Sequence, residues 1–121
     1  MSDRTIMAWG EIPVTDMDKA VAFYNEVFGY EMQIDTSGPN PIAVLGSFED
    51  SAGAHLYPGK PAADGGSTIH LAITDKLEAG IDRCWKAGGQ VLSPAIEIPA
   101  GRFAYAKDLD GNSIGMFEAA A

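Results

Sequence analysis

Apolar and polar positions along the chain fall into two similar series. Thr5 to Val14 is a largely apolar run of strand character. Thr15 or Asp16 then stands where a helix N-cap belongs, with Asp18 in the first turn. Met17, Ala20, Val21, Phe23, Tyr24, Val27 and Phe28 recur mostly at three- and four-residue spacing, which predicts a helix with one apolar face, and Gly29 supplies a left-handed stop. Strands are expected at Tyr30 to Thr36, Ile42 to Phe48 and Gly53 to Tyr57, the first two separated by the turn formers Ser37-Gly38-Pro39-Asn40-Pro41. The second series keeps the order. It predicts a strand at Thr68 to Thr74 and a helix at Leu77 to Ala87, with Leu77, Ile81, Cys84 and Trp85 turned inward and Gly88-Gly89 as its stop. Strands at Gln90 to Ser93, Phe103 to Lys107 and Ser113 to Glu118 complete it.

These series are an internal repeat. Glu11-Ile12-Pro13-Val14-Thr15-Asp16 corresponds to His70-Leu71-Ala72-Ile73-Thr74-Asp75, an offset of 59 from position 11 to position 70. Glu49-Asp50 through His55-Leu56 corresponds to Leu109-Asp110 through Gly115-Met116 at an offset of 60. The expected organisation is a single domain over residues 1–121, with one module at about 5–57, a linker at about 58–66 (PGKPAADGG) and a second module at about 67–118. A duplicated fold places its functional cleft between the halves.

Composition narrows the classes of function. A chain of 121 residues, 46% of them hydrophobic, can bury one core but not two, and it is not a disordered polymer. A formal charge of −9 argues against a protein that grips nucleic acid or an anionic membrane, since both require surplus Lys and Arg. No apolar run approaches the roughly 18 residues of a membrane span, and Met1-Ser2-Asp3-Arg4 lacks a signal-peptide pattern, so a cytoplasmic protein is expected. Cys84 is the only cysteine and lies on the apolar face of the second helix, where packing explains it better than nucleophilic chemistry.

A twice-written βαβββ unit, with Asp16-Met17-Asp18-Lys19-Ala20 leading into Phe23-Tyr24 and Val27-Phe28-Gly29, and with Asp108-Leu109-Asp110-Gly111-Asn112 before the last strand, resembles the vicinal oxygen chelate superfamily, the glyoxalase, bleomycin-resistance and extradiol-dioxygenase group. The resemblance covers essentially the whole chain. It implies an α+β fold whose two tandem βαβββ modules form an open, cup-like mixed sheet with helices outside. Enzymes of the group hold a divalent metal with up to four side chains, one from the first and one from the last strand of each module. Such a metal is a Lewis acid that can take two neighbouring substrate oxygens. The resemblance also implies a homodimer, in which the cup can be completed across chains.

Carried over residue by residue, the resemblance sets His70 at a first-strand ligand position and His55 at a last-strand one. The repeat frame pairs Glu11 with His70, whereas the spacing usual in the metal enzymes selects Trp9, which cannot bind a metal; Glu11 and Trp9 share a face of the strand. At the fourth position the metal enzymes carry Glu after Ile. Here Gly111-Asn112-Ser113-Ile114-Gly115 has glycine, and Glu118 is an odd number of residues further on. Glu11, His55 and His70 thus form an incomplete ligand set for Fe, Mn, Ni or Zn. Trp9, Phe48, Tyr57, Phe103 and Tyr105 are candidate stacking surfaces for a planar ligand in the same concavity. Two readings stand: a small-molecule binding protein without a complete metal site, using Trp9, Glu11, His55, Tyr57, His70, Phe103 and Tyr105, or a divalent-metal lyase, isomerase or dioxygenase. Asp108, Asp110 and Asn112 lack the later Glu of a calcium loop and fit a tight turn instead.

Overall fold

A computed structural model gives the structure of residues 9–38, 40–45 and 53–120. Phe48 and the expected strand portions at 5–8 and 46–48 lie outside these described residues. The first half comprises β1 (Gly10–Val14), α1 (Met17–Phe28), β2 (Ile34–Asp35), β3 (Ile42–Leu45) and β4 (Ala54–Pro58). The second comprises β5 (Ile69–Ala72), α2 (Leu77–Lys86), β6 (Gln90–Val91), β7 (Ile96–Ile98), β8 (Gly101–Lys107) and β9 (Ser113–Ala119). The result is an α+β fold of two βαβββ modules, the second with one added strand, β7.

The repeat extends to sheet register. In the first sheet the order is β1-β4-β3-β2, and in the second β5-β9-β8-β6, with β7 adding a hairpin on β8. The outer strand of each pairs in parallel with the last strand of its own half, so that Glu11 lies opposite His55 and His70 opposite Gly115. Pro13 is tolerated in β1 because this is an edge strand, where its missing N–H interrupts no second ladder.

Alternation then divides each sheet into two faces. Ile12, Val14, Ala43, Leu45, Ala54 and Leu56 of the first sheet, and Leu71, Ala104, Ala106, Ile114 and Met116 of the second, are buried on the helix side. α1 supplies Ala20, Phe23, Tyr24, Val27 and Phe28 to this core, and α2 supplies Leu77 and Cys84. Asp16 caps α1 by accepting from Lys19 N at 3.1 Å, and Gly29 ends it at φ 77°. Burial of Cys84 pushes its thiol up to about 11, in keeping with packing rather than reactivity.

Three expectations need correction. The Tyr30 to Thr36 strand shrinks to Ile34–Asp35 because Asn25 of α1 takes the Met32 backbone, accepting from its N–H at 2.8 Å and donating to its carbonyl at 3.2 Å. Trp85 is not inward but 56% exposed, since it sits about 100° around the helix from Cys84, at the flank of the apolar stripe. A strand at Ile96–Ile98, between Pro94 and Pro99, was not expected; it pairs with β8, which consequently begins at Gly101 rather than Phe103. The 58–66 stretch is anchored at both ends. Gly59 N donates to Val14 O at 3.0 Å and Ser113 N donates to Gly65 O at 3.0 Å, so each end is tied to a different half.

The halves are clamped by the Asp108–Asn112 turn. Asp108 Oδ1 accepts from the N–H groups of Asp110 and Asn112, closing the turn. Asn112 Nδ2 then donates to Pro13 O at 2.7 Å, and the Thr15 hydroxyl and N–H both donate to Asp110 Oδ1. These carboxylates are engaged in hydrogen bonds, as a structural turn requires.

Candidate functional site

The faces turned away from the helices carry the candidate residues. On the first sheet, Glu11 Oε2 lies 3.1 Å from His55 Nε2 and accepts from Trp9 Nε1 at 3.4 Å. The His55 side chain is largely covered (13% exposed), whereas Glu11 (52%) and Trp9 (53%) are open to solvent. Tyr57 is two residues beyond His55 on the same face and packs beside Gly59. Two donors held by one ion at about 2.1 Å lie roughly 3 Å apart. The Glu11–His55 spacing therefore fits two positions of a metal centre, and equally fits a hydrogen-bonded pair.

The second sheet is arranged differently. His70, Phe103 and Tyr105 form a three-ring cluster with centroid separations of 5.1 Å (His70–Phe103), 5.7 Å (His70–Tyr105) and 5.2 Å (Phe103–Tyr105), all edge-to-face. Tyr105 is 39% exposed, so the cluster presents an aromatic surface rather than a sealed core. The imidazole also lies directly over Gly115: a side chain on that residue would collide with His70 Nδ1 and Cγ. Where the family's fourth ligand would stand there is thus no side chain, and the space above the position is filled by the histidine ring.

Glu118 does not compensate. Odd spacing from Gly115 turns it to the helix side, where Oε1 accepts from Leu77 N at 2.8 Å and from Arg102 Nη2 at 2.6 Å, capping α2 in place of Lys76, whose side chain makes no cap bond. Arg102 also makes a two-pronged pair with Glu78.

Among the described residues, the donors of one chain do not assemble into a four-ligand metal centre. Glu11 and His55 converge, His70 is committed to the aromatic cluster, position 115 offers nothing, and no group of three His, Cys, Asp or Glu side chains able to hold an ion occurs among the described residues.

Sequence reasoning missed one part of the site's surroundings. A cleft of about 330 Å³ opens between the halves, and Glu11 and Pro13 share its lining with Lys60, Ser67, Ile69 and Ser113. The linker thus contributes wall as well as connection. The Asp64-Gly65-Gly66 run was the available signal, because Asp64 accepts from Gly66 N and folds the segment back.

With this geometry, the chain belongs to the Glyoxalase/Bleomycin resistance protein/Dioxygenase superfamily, whose model matches residues 6–116. It is 33% identical over 118 residues to a Vibrio parahaemolyticus protein named "Probable lactoylglutathione lyase", covering 87% of this chain and 84% of that one. CFP32, a provisionally named glyoxylase of Mycobacterium bovis and Mycobacterium tuberculosis, is 28% identical over 117 residues, 92% of this chain. This chain spans less than half of that protein, 44% of its length. Among solved structures, TnmS3, an antibiotic binding protein from Streptomyces sp. CB03234, matches with a TM-score of 0.67 and 25% identity over 99% of this chain and 100% of that one. No helix among the described residues is long and apolar enough to cross a membrane.

Proposed function

We propose that this protein binds a small planar molecule against the sheet faces that carry His70, Phe103, Tyr105, Tyr57 and Trp9, without a complete metal site. The observation that carries this reading is the seating of the His70 ring over Gly115 within an exposed aromatic cluster. That arrangement uses the imidazole as a surface, and edge-to-face neighbours leave ring faces free to stack on a flat ligand. The likeness to TnmS3 supports the same reading. The chain's −9 charge further favours a cationic ligand over an anionic one through long-range attraction.

A second reading rests on the Glu11–His55 pair, which supplies two donors at a spacing one ion could share. It needs further donors from elsewhere, such as a second copy of the chain in a homodimer, and would make the protein a metal-dependent lyase, isomerase or dioxygenase.

Metal content by mass spectrometry on untagged, chelator-free protein separates the two, with anisotropy of an acridine dye and of a naphthalene sulfonate dye as the binding assay. Background metal with dye binding that weakens in Tyr105→Ala is expected. About one chelator-removable transition metal per chain, lost in His55→Ala, would overturn the binding reading in favour of the metal enzyme.

A further inference from the structure

Gly115 has an ordinary strand backbone. It is absent from the glycines with positive φ among the described residues, so nothing in its dihedral angles demands glycine. It is nonetheless buried, and the atoms that a Cβ would meet nearest all belong to the imidazole of His70, its register partner on β5. The glycine at this position is therefore explained by the ring that covers it. The first sheet makes the contrast. There the register-equivalent pair is Glu11 and His55, both with side chains, which meet through their polar tips 3.1 Å apart. One pair is built for a polar meeting, and in the other an imidazole occupies the space a side chain at 115 would take.

We infer that His70 and Gly115 are a matched pair in which the missing side chain at 115 seats the imidazole beside Phe103 and Tyr105, making Gly115 a specificity-determining residue that keeps this half of the cup an aromatic floor. The functional part of this inference rests on the binding reading above; the pairing itself does not. Any side chain at 115 drives the ring out of its seat. The floor then loses one of its three rings, and the edge-to-face contacts at 5.1 and 5.7 Å go with it. His70 acts here through its ring face and edge, so a ring without nitrogen serves as well.

The test combines a thermal cycle with a dye assay. Calorimetric melting is compared for the unaltered chain, Gly115→Ala, His70→Ala and the double variant, while nuclear magnetic resonance follows the Gly115 α-protons. Gly→Ala at a compatible backbone ordinarily stabilises through the unfolded state. The expected result is that Gly115→Ala lowers Tm when His70 is present and raises or preserves it in the His70→Ala background, and that the ring-current displacement of the Gly115 α-protons disappears in His70→Ala. An unchanged or higher Tm for Gly115→Ala with His70 present, or α-proton shifts indifferent to His70, would overturn the pairing. Should Gly115→Ala fail to fold, recovery of folding in the double variant supports the pairing and failure of both overturns it. For specificity, acridine-dye affinity should fall about three- to tenfold in Gly115→Ala and His70→Ala, the range for losing one aromatic contact, and stay within about twofold in His70→Phe. An equal loss in His70→Phe would overturn the ring-face role, and full affinity in Gly115→Ala would overturn the specificity role while leaving the pairing intact. If neither dye binds the unaltered chain, the specificity role falls together with the binding reading, and the thermal cycle still decides the pair.

Discussion

The hydroxyl of Tyr24 donates to Asp108 Oδ2 at 2.7 Å, joining the middle of α1 in the first half to the terminal turn of the second. Both residues are buried, and the same Asp108 oxygen also accepts from Asn112 Nδ2 at 2.9 Å. Tyr24→Phe keeps the ring but leaves a buried carboxylate one donor short. We expect a loss of about 1–3 kcal/mol by denaturant titration, with the fold retained. No loss would show that the bond is energetically idle.

Alkaline stability should report the same residue. Burial, reinforced by the Asp108 carboxylate, raises the Tyr24 hydroxyl well above the usual value of 10.0, and burial pushes Tyr30 up to about 12. A raised folded-state pKa means the unfolded chain releases these protons first. Their stabilising contribution is therefore complete below about pH 10 and declines as pH rises from there through 12 and beyond. Chemical denaturation across pH 9 to 12 should show that decline, and Tyr24→Phe should make it shallower, leaving the shares of Tyr30 and of the Cys84 thiol, which burial raises to about 11.

Acid should act through Arg102. Hydrogen bonds from its guanidinium hold Glu78 at about 2, below its ordinary 4.5, and hold Glu118 below the same value. Lowered carboxylates stabilise the fold above the unfolded value, and that contribution fades as pH drops from about 4.5 toward 2. Arg102→Leu should remove much of this acid dependence, leaving the share held by Asp75, whose carboxyl is lowered by its pair with Arg83. A superimposable acid limb in the variant would contradict the assignment.

Gly29→Ala should be costly. The residue sits at φ 77°, in the left-handed region, and a Cβ there would strike the Thr74 hydroxyl, which itself donates to Phe28 O at 3.2 Å. Conformational strain of roughly 1 kcal/mol adds to that collision. A melting temperature unchanged by this substitution would contradict the described junction between α1 and the β5–α2 connection.

Trp85→Ser, by contrast, should shift stability by no more than about 0.5 kcal/mol, because the indole is more than half exposed and its helix is held instead through Leu77 and Cys84. A loss of several kcal/mol would restore Trp85 to the core that periodicity first assigned it.

The contrast between Trp85 and Leu77 indicates how far the sequence was legible. Apolar spacing located both helices, and the offset of Glu11 from His70 anticipated a duplication that holds down to register. What periodicity could not resolve was competition for backbone groups: Asn25 captures Met32 and so withdraws four residues from an expected strand. Nor could it weigh a flank position such as Trp85 against the centre of a stripe. Spacing parity did place Glu118 on the face away from Gly115, but not its use as a cap for α2. The candidate site was legible as residues on shared faces. Its character was not, because the position of the His70 ring depends on what is absent at Gly115, and a missing side chain has no periodicity.

The clamp from Asp108 and Asn112 to Tyr24 and Pro13 also has a consequence for biosynthesis. Tyr24 emerges from the ribosome 84 residues ahead of its partner. At 5–20 residues per second that interval is on the order of ten seconds. Throughout it the nascent first half carries a buried-type hydroxyl without its acceptor and a β1 strand whose Pro13 carbonyl awaits Asn112. Docking of the first half through this clamp therefore waits on synthesis of the second, and slowing elongation within the second half would prolong exposure of the first to chaperones and proteases.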